Sequence, residues 1–350
     1  MRLSLPLVAG LCLFVSACGG SSAAQGTWDV GLARPHIAAT VSDDDLWTPV
    51  SVDAELRTDR SDAVRRTEGL PDFQQETVLS AGGSISLPFA RSLRFASSLT
   101  LGYQREFHVV ENRLTSPPDA RTPPVYPPDA NIGAVTLDWG YVGIDSFRDS
   151  VSNERGFTSF LHVRHADKTF TFSSQDITEA VVDARWFVPV PGLGAHVIGL
   201  YLSGGYAIGN PLLRDNFFLG GFADRDITKD LLNGSRSGAG VLRGYPRAAL
   251  QGDGFALSTL EYRFPLLELE RGFSTLPIYL DRVHGALFTD FGDAFTGAPD
   301  ARGFKASVGV ELRAQITLAY YGLFLVRAGY ARGVSRGGVD QPYVILGFPY

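Results

Sequence analysis

Cysteine is almost missing from this chain. The 350 residues include two, Cys12 and Cys18, both in the N-terminal leader. The rest of the chain has no disulfide to form, so a disulfide-stapled secreted domain is excluded. Its stability must come from packing and backbone pairing. Long hydrophobic runs are missing too. No stretch of about 18 apolar residues follows the leader, which argues against a helical membrane span. A transmembrane barrel stays open, because only alternate residues of its strands face lipid and averaged hydropathy hides them. Basic residues are in deficit: Lys and Arg number 31 against 37 Asp and Glu, a net charge of −6. With no basic cluster either, no nucleic-acid partner is expected.

Motifs that carry chemistry are also lacking. No phosphate-binding loop and no Cys/His zinc pattern occurs. Gly234-Ser235-Arg236-Ser237-Gly238 misses the Gly-x-Ser-x-Gly nucleophile pattern and lacks its strand-turn-helix setting. Asp43-Asp44-Asp45 lacks the spacing of a calcium loop and reads as a solvated turn. On a strand, His162 and His165 point to opposite faces and cannot chelate one metal, so they read as ordinary polar residues at a strand end. The same parity separates Asp290 from Asp293. The expectation is a protein that is not an enzyme and has no metal and no cofactor.

What the chain does have is an export leader and a long series of alternating segments. Residues 1–25 carry Arg2, an apolar core from Leu3 to Val15, and then small residues. Val15-Ser16-Ala17-Cys18 is similar to a bacterial lipobox, which would make Cys18 an acylated N-terminus. Ordinary cleavage near Ser22-Ala23-Ala24 is the alternative. Residues 26–350 form one domain. Within it, Ala306, Val308, Val310, Leu312, Ala314 and Ile316 alternate with Ser307, Gly309, Glu311, Arg313, Gln315 and Thr317. This is a period of two, which fits a strand and not a helix. Residues 178–188, 196–208, 133–141 and 93–104 repeat the pattern. Trp28–Val41, Leu46–Arg57, Gln74–Phe89 and Leu93–Val110 are the strand candidates of the first third. Trp139, Tyr141, Tyr103, Trp186 and Tyr330 are placed to form interfacial girdles. Polar or Pro-rich links run over residues 58–73, 111–130 and 210–240. Charges are costly on a lipid face, so the polar sets should face a lumen. The expected fold is all-β: a closed antiparallel transmembrane β-barrel of roughly 12–16 strands with a long loop over residues 210–240.

That loop ends in Leu242-Arg243-Gly244-Tyr245. Before it stand a turn glycine at Gly156 and the segment Phe217-Phe218-Leu219-Gly220-Gly221. After it come an alternating strand with Glu261, the stretch Thr289-Asp290-Phe291-Gly292, and an alternating terminus ending in Phe348 and Tyr350. In this order the motifs resemble the outer-membrane assembly superfamily of BamA, TamA, the two-partner secretion transporters and the bacterial surface antigen barrels. The resemblance runs from Asn131 to the C-terminus. It implies that Arg243, Gly244 and Tyr245 fold back into the lumen from a root at Gly220 and Gly221. It also implies that Arg243 meets Glu261 and Asp290 on the barrel wall, and that Phe348 and Tyr350 belong to a C-terminal barrel signal. Alternation places Glu261 with Leu257, Thr259 and Arg263, while Phe288 shares the face of Asp290. A buried guanidinium would need such carboxylates. The segment between the leader and Trp28 has no room for the periplasmic POTRA modules usual in the superfamily. The implied role is insertion or translocation of proteins at the bacterial outer membrane, with membrane lipid and unfolded or secreted outer-membrane proteins as partners. A passive pore, a lipid or small-solute transport barrel, and a surface scaffold are the alternatives.

Overall fold

The computed structural model describes the backbone of residues 23–31, 34–42, 51–57, 59–67, 70–92, 94–111, 129–145, 153–210, 214, 217–221, 241–272, 278–318 and 322–347. Side chains are described from residue 81 on, some strand ends excepted. The strands are β1 (Ala23–Gly31), β2 (Arg34–Ser42), β3 (Ser51–Arg57), β4 (Asp59–Thr67), β5 (Leu70–Arg91), β6 (Ala96–Glu111), β7 (Ala130–Asp145), β8 (Arg155–Ala166) and β9 (Ile177–Pro189). There follow β10 (Val197–Gly209), β11 (Phe217–Leu219), β12 (Leu250–Gly252), β13 (Gly254–Gly272), β14 (Ile278–Phe295), β15 (Lys305–Leu318), β16 (Gly322–Gly333) and β17 (Asp340–Gly347).

Twelve strands make one sheet, ordered β17-β16-β15-β14-β13-β10-β9-β8-β7-β6-β5-β4, and β1–β3 make a second, three-stranded one. The ladders are antiparallel throughout. Strands adjacent in the large sheet are adjacent in sequence except at β10 and β13, where β11 and β12 intervene and pair with each other. β3 lies alongside β5 without a ladder between them. Among the described residues no ladder joins β17 to β1, so the expected closure is not seen in these strands.

The first third departs from its sequence reading. Trp28–Val41 is not one strand but the β1–β2 hairpin, paired from Ala23↔Ser42 to Gly31↔Arg34. The candidate at Leu46–Arg57 is a strand from Ser51 on. Residues 58–73, expected as a polar link, are mostly strand: Asp59–Thr67 pairs with β5 from Asp59↔Val78 to Thr67↔Leu70. Backbone pairing satisfies a polar strand as well as an apolar one, so the lack of hydrophobic alternation hid this hairpin.

In β15 the alternation resolves into two faces. Val310 is 52% exposed and Glu311 beside it 4%. The pairs Leu287↔Val310 and Val310↔Tyr330 continue the apolar face, and Ala286↔Glu311 and Glu311↔Gly329 the other. Apolar side chains point out and charges point in, the inverse of a soluble core and the pattern of a lipid-facing strand. An aromatic row runs round the outer face at one end. Phe95 meets Tyr141 (6.2 Å), Tyr141 meets Phe157 (5.7 Å), and Phe157 meets Trp186 (4.8 Å). His196, just before β10, forms a second aromatic group with Tyr262 and Phe264 of β13. This is where an interfacial girdle would sit. At that end the connections are 92–95, 146–154, 190–196, 273–277 and 319–321, and at the other they are 112–129, 167–176, 210–253, 296–304 and 334–339.

Candidate functional site

Residues 241–249, in the connection between β10 and β13, are held against the inner face. The root is built from glycines for lack of space. A Cβ on Gly220 would come within 2.3 Å of the Pro246 oxygen, and one on Gly221 within 2.2 Å of the Tyr245 oxygen. Gly221 N–H donates to the Tyr245 carbonyl (2.9 Å), and Leu242 N–H donates to that of Gly220 (2.9 Å). Leu242 and Tyr245 pack with Phe217, Leu219, Phe255 and Leu257 in a buried apolar cluster. Gly244 has a positive φ of 79°, and a Cβ there would stand 2.5 Å from the Gly333 nitrogen. Only glycine meets both conditions.

Arg243 is 4% exposed. Its Nε donates to Asp290 Oδ2 (2.8 Å) and its Nη2 to Asp290 Oδ1 (2.6 Å), a bidentate fork. The backbone N–H of Arg243 adds a bond to Asp290 Oδ2 (3.2 Å), and Nη1 reaches Glu261 Oε1 (3.4 Å). The guanidinium carbon stands 3.3 Å from the centre of the Phe288 ring. Burial works to lower the pKa of this group. The hydrogen bonds and charge of Asp290, then the charge of Glu261, outweigh it and hold Arg243 above the ordinary arginine range. It is therefore a fixed positive charge.

The carboxylates are satisfied in turn. Asp290 accepts from Thr259 Oγ1 (2.8 Å) and Ser307 Oγ (3.4 Å). Glu261 accepts from Arg263 (3.0 Å) and Arg313 (2.9 Å). Glu311 lies 3.6 Å from Arg243 Nη1 and accepts from Arg313, from Arg327 Nε (2.7 Å) and from Tyr343 OH (2.6 Å). Four guanidiniums thus share three carboxylates. Bidentate, charge-assisted bonds of this kind are the strong ones, and a buried network is stable only when its members are satisfied.

The loop also grips the last strands. Gly244 N–H donates to Gln341 Oε1 (2.9 Å), and Val339 N–H donates to the Gly244 carbonyl (2.9 Å). Tyr245 OH donates to the Ala306 carbonyl (2.8 Å) and accepts from Ser335 N–H (3.2 Å). Gly329 leaves room for the Tyr343 ring to cross to Glu311, since a Cβ would lie 2.5 Å from that ring.

The structure thus brings together Arg243, Gly244, Tyr245, Gly220, Gly221, Glu261 and Asp290. Cys18, Phe348 and Tyr350 lie outside the described residues. Asp293 is apart from Asp290, near Gly303. Gly156 has φ 127°, and a Cβ there would meet the Gly143 oxygen at 2.1 Å. Sequence reasoning missed Glu311, Arg313, Arg327, Gln341 and Tyr343 as partners of the loop. The charges at Glu311 and Arg313 shared the parity of a lumen face, but only the pairing of β14 with β15 and β15 with β16 sets them beside Arg243. His162 is not at a strand end either. It pairs across the ladder with Asp138, its Nδ1 2.5 Å from Oδ1.

No protein-family model matches this sequence, and no curated protein matches it at a significant level. Among solved structures, the chain is similar to the crystal structure of BamA from Haemophilus ducreyi lacking POTRA domains 1-3, with a TM-score of 0.63 and 12% sequence identity. The match covers 92% of this chain and 63% of that one. The chain has a BamA-like barrel fold and spans less than two thirds of the length of that structure.

Proposed function

We propose that this protein is an outer-membrane β-barrel of the assembly type, which aids insertion or translocation of other proteins at the bacterial outer membrane. The observation that carries this reading is the docked loop, with Arg243 held by Asp290 and Glu261 and with Gly244 held by Gln341 of β17. In this reading the sheet closes into a barrel through strands at its two ends, because unpaired backbone groups are too costly in hydrocarbon. The exposed apolar face meets membrane lipid. The end with the longer connections faces out of the cell. The partners are lipid and unfolded outer-membrane proteins, nucleic acid is not among them, and the role is not enzymatic. The loop braces the last strand, and so sets one side of the seam at which a client strand would be received.

A second reading, a barrel that passes small solutes, has its own support. On the inner face of β6–β9 a hollow of about 220 Å³ is lined by the polar residues Thr100, Asp138, His162 and Asp183 together with apolar ones such as Phe160 and Leu161. The two readings separate in liposomes carrying the full chain. An assembly barrel accelerates folding of an added unfolded barrel protein, and Arg243→Ala weakens the effect. A solute barrel gives no acceleration and a steady single-channel conductance.

A further inference from the structure

The outer face carries a feature that a uniform lipid contact does not require. A groove of about 360 Å³ crosses β9, β10, β13 and β14. Its floor is small: Ala184, Gly204, Ala256 and Ser258 follow the cross-strand pairs Leu202↔Ala184, Gly204↔Val182, Gly204↔Ala256 and Leu202↔Ser258. Its walls are large: Val182, Leu202 and Phe291, with Phe304 stacked on Phe291 at 4.8 Å. Gly204 is the telling residue. Its φ is not among the positive ones, and a Cβ there would meet only the Phe255 oxygen, at an ordinary 3.4 Å. Its neighbour Gly205 is different, since a Cβ would strike the Phe255 ring at 2.7 Å. Neither backbone conformation nor packing demands a glycine at 204, and glycine weakens a strand. Its effect is to keep the groove open.

We propose that this groove is a binding site for one acyl chain of a membrane lipid. The inference rests on the membrane reading above, because the groove is continuous with the apolar face assigned there to lipid. Nearly all of its lining is apolar, so water has too few polar partners to occupy it stably. Its volume holds on the order of a dozen water-sized groups, which suits a run of methylenes. Between lipid and protein the hydrophobic effect gives no preference, so the selection is by shape: a chain lying in the groove gains contact on three sides.

The test is photolabelling of the full-length protein in phosphatidylcholine vesicles. A diazirine is carried on the acyl chain, either of the phospholipid itself or, in a second arm, of a free fatty acid. Adducts are mapped by mass spectrometry. The expected result is labelling concentrated on Leu202, Phe291 and Phe304. Gly204→Leu should reduce it several-fold, leaving adducts at distant outward residues such as Val310 and Ile85 unchanged. Labelling by both reagents would mean that the chain alone is recognised, and labelling by the phospholipid alone would add its headgroup. Ala256→Leu fills the same space from the next strand if Gly204→Leu fails to insert. Adducts spread evenly over the outer face, or unaffected by both substitutions, would overturn the site. Absence of adducts anywhere on the outer face would instead overturn the membrane reading.

Discussion

The inner face has two halves that follow the same alternation and end in different states. On β13–β17 the charged residues Glu261, Asp290, Glu311 and Arg313 are buried, each no more than 5% exposed. On β7 and β8 the side chains of Asp138 and His162 pair at 2.5 Å, yet remain 47% and 46% exposed. Strand sequence alone does not account for the difference. In the first half the loop supplies Arg243 and the apolar body of Tyr245, which exclude water and neutralise the carboxylates. Around Asp138 and His162 no such covering loop stands among the described residues, although Arg164 and Glu179 further along the same half are 13% and 6% exposed. Alternation decides which way a residue faces, and around Arg243 the loop makes what it faces dry.

The comparison is open to direct attack, most strongly at Asp290. Asp290→Ala would strand a buried guanidinium and should cost about 3–5 kcal/mol, read as the shift in the urea unfolding midpoint of the lipid-embedded protein. A loss no larger than that of an exposed pair would mean the loop is not locked. Arg243→Lys keeps the charge and removes the fork. It should recover only part of the stability lost in Arg243→Ala, because a lysine cannot bond both oxygens of Asp290 in one plane. Arg243→Ala itself should leave the protein membrane-inserted and make residues 241–249 more open to protease. Gln341→Ala leaves the Gly244 N–H without its acceptor and should cost about 1–3 kcal/mol, with faster proteolysis of the same segment. His162→Ala, in the open half, should cost at most about 1 kcal/mol, and an effect as large as that of Asp290→Ala would erase the distinction between the halves.

The smallest effect concerns the β8–β9 loop. The backbone N–H groups of Phe170 and Thr169 hold the Asp167 carboxyl below its ordinary pKa. Its contribution is therefore complete above the unfolded value and lost as pH falls through the lower folded one. Protection of the Thr169 and Phe170 amides, taken relative to their intrinsic exchange at each pH, should fall as the pH drops below the ordinary Asp value of about 4 and stay constant above it.

Most of the sheet from β6 on was legible because its outer residues are apolar and its inner ones polar, so the strand period shows through. The β4–β5 hairpin was not, since residues 59–73 mix charges on both faces and carry no such signal. In the site, the meeting of Arg243 with Glu261 and Asp290 was an implication of the resemblance carried by the order of Gly220, Gly221, Arg243, Gly244, Glu261 and Asp290, and in the structure the Arg243 guanidinium bonds to both acids. Phe288 read as an apolar residue out of place on a polar face, whereas its ring is the platform under the guanidinium. Glu311, Arg327 and Tyr343 were hidden for another reason. Their part in the network depends on register, with Glu311 opposite Gly329 and Gly329 opposite Tyr343, and register across separate strands is not written in the period of any one of them.

That dependence has a consequence for how the chain finds its fold. In β15, Val310 faces out and Glu311 in, so a slip of one residue exchanges every side chain between the two environments. In a membrane such a slip would carry Arg313 toward hydrocarbon, at a cost of up to about 2–4 kcal/mol for that residue alone, and would take Glu311 from beside Arg243 and set Val310 or Leu312 in its place. The charge network therefore acts as a proofreading device: a misaligned strand is penalised on both of its faces at once, and only the native alignment lets the loop seat.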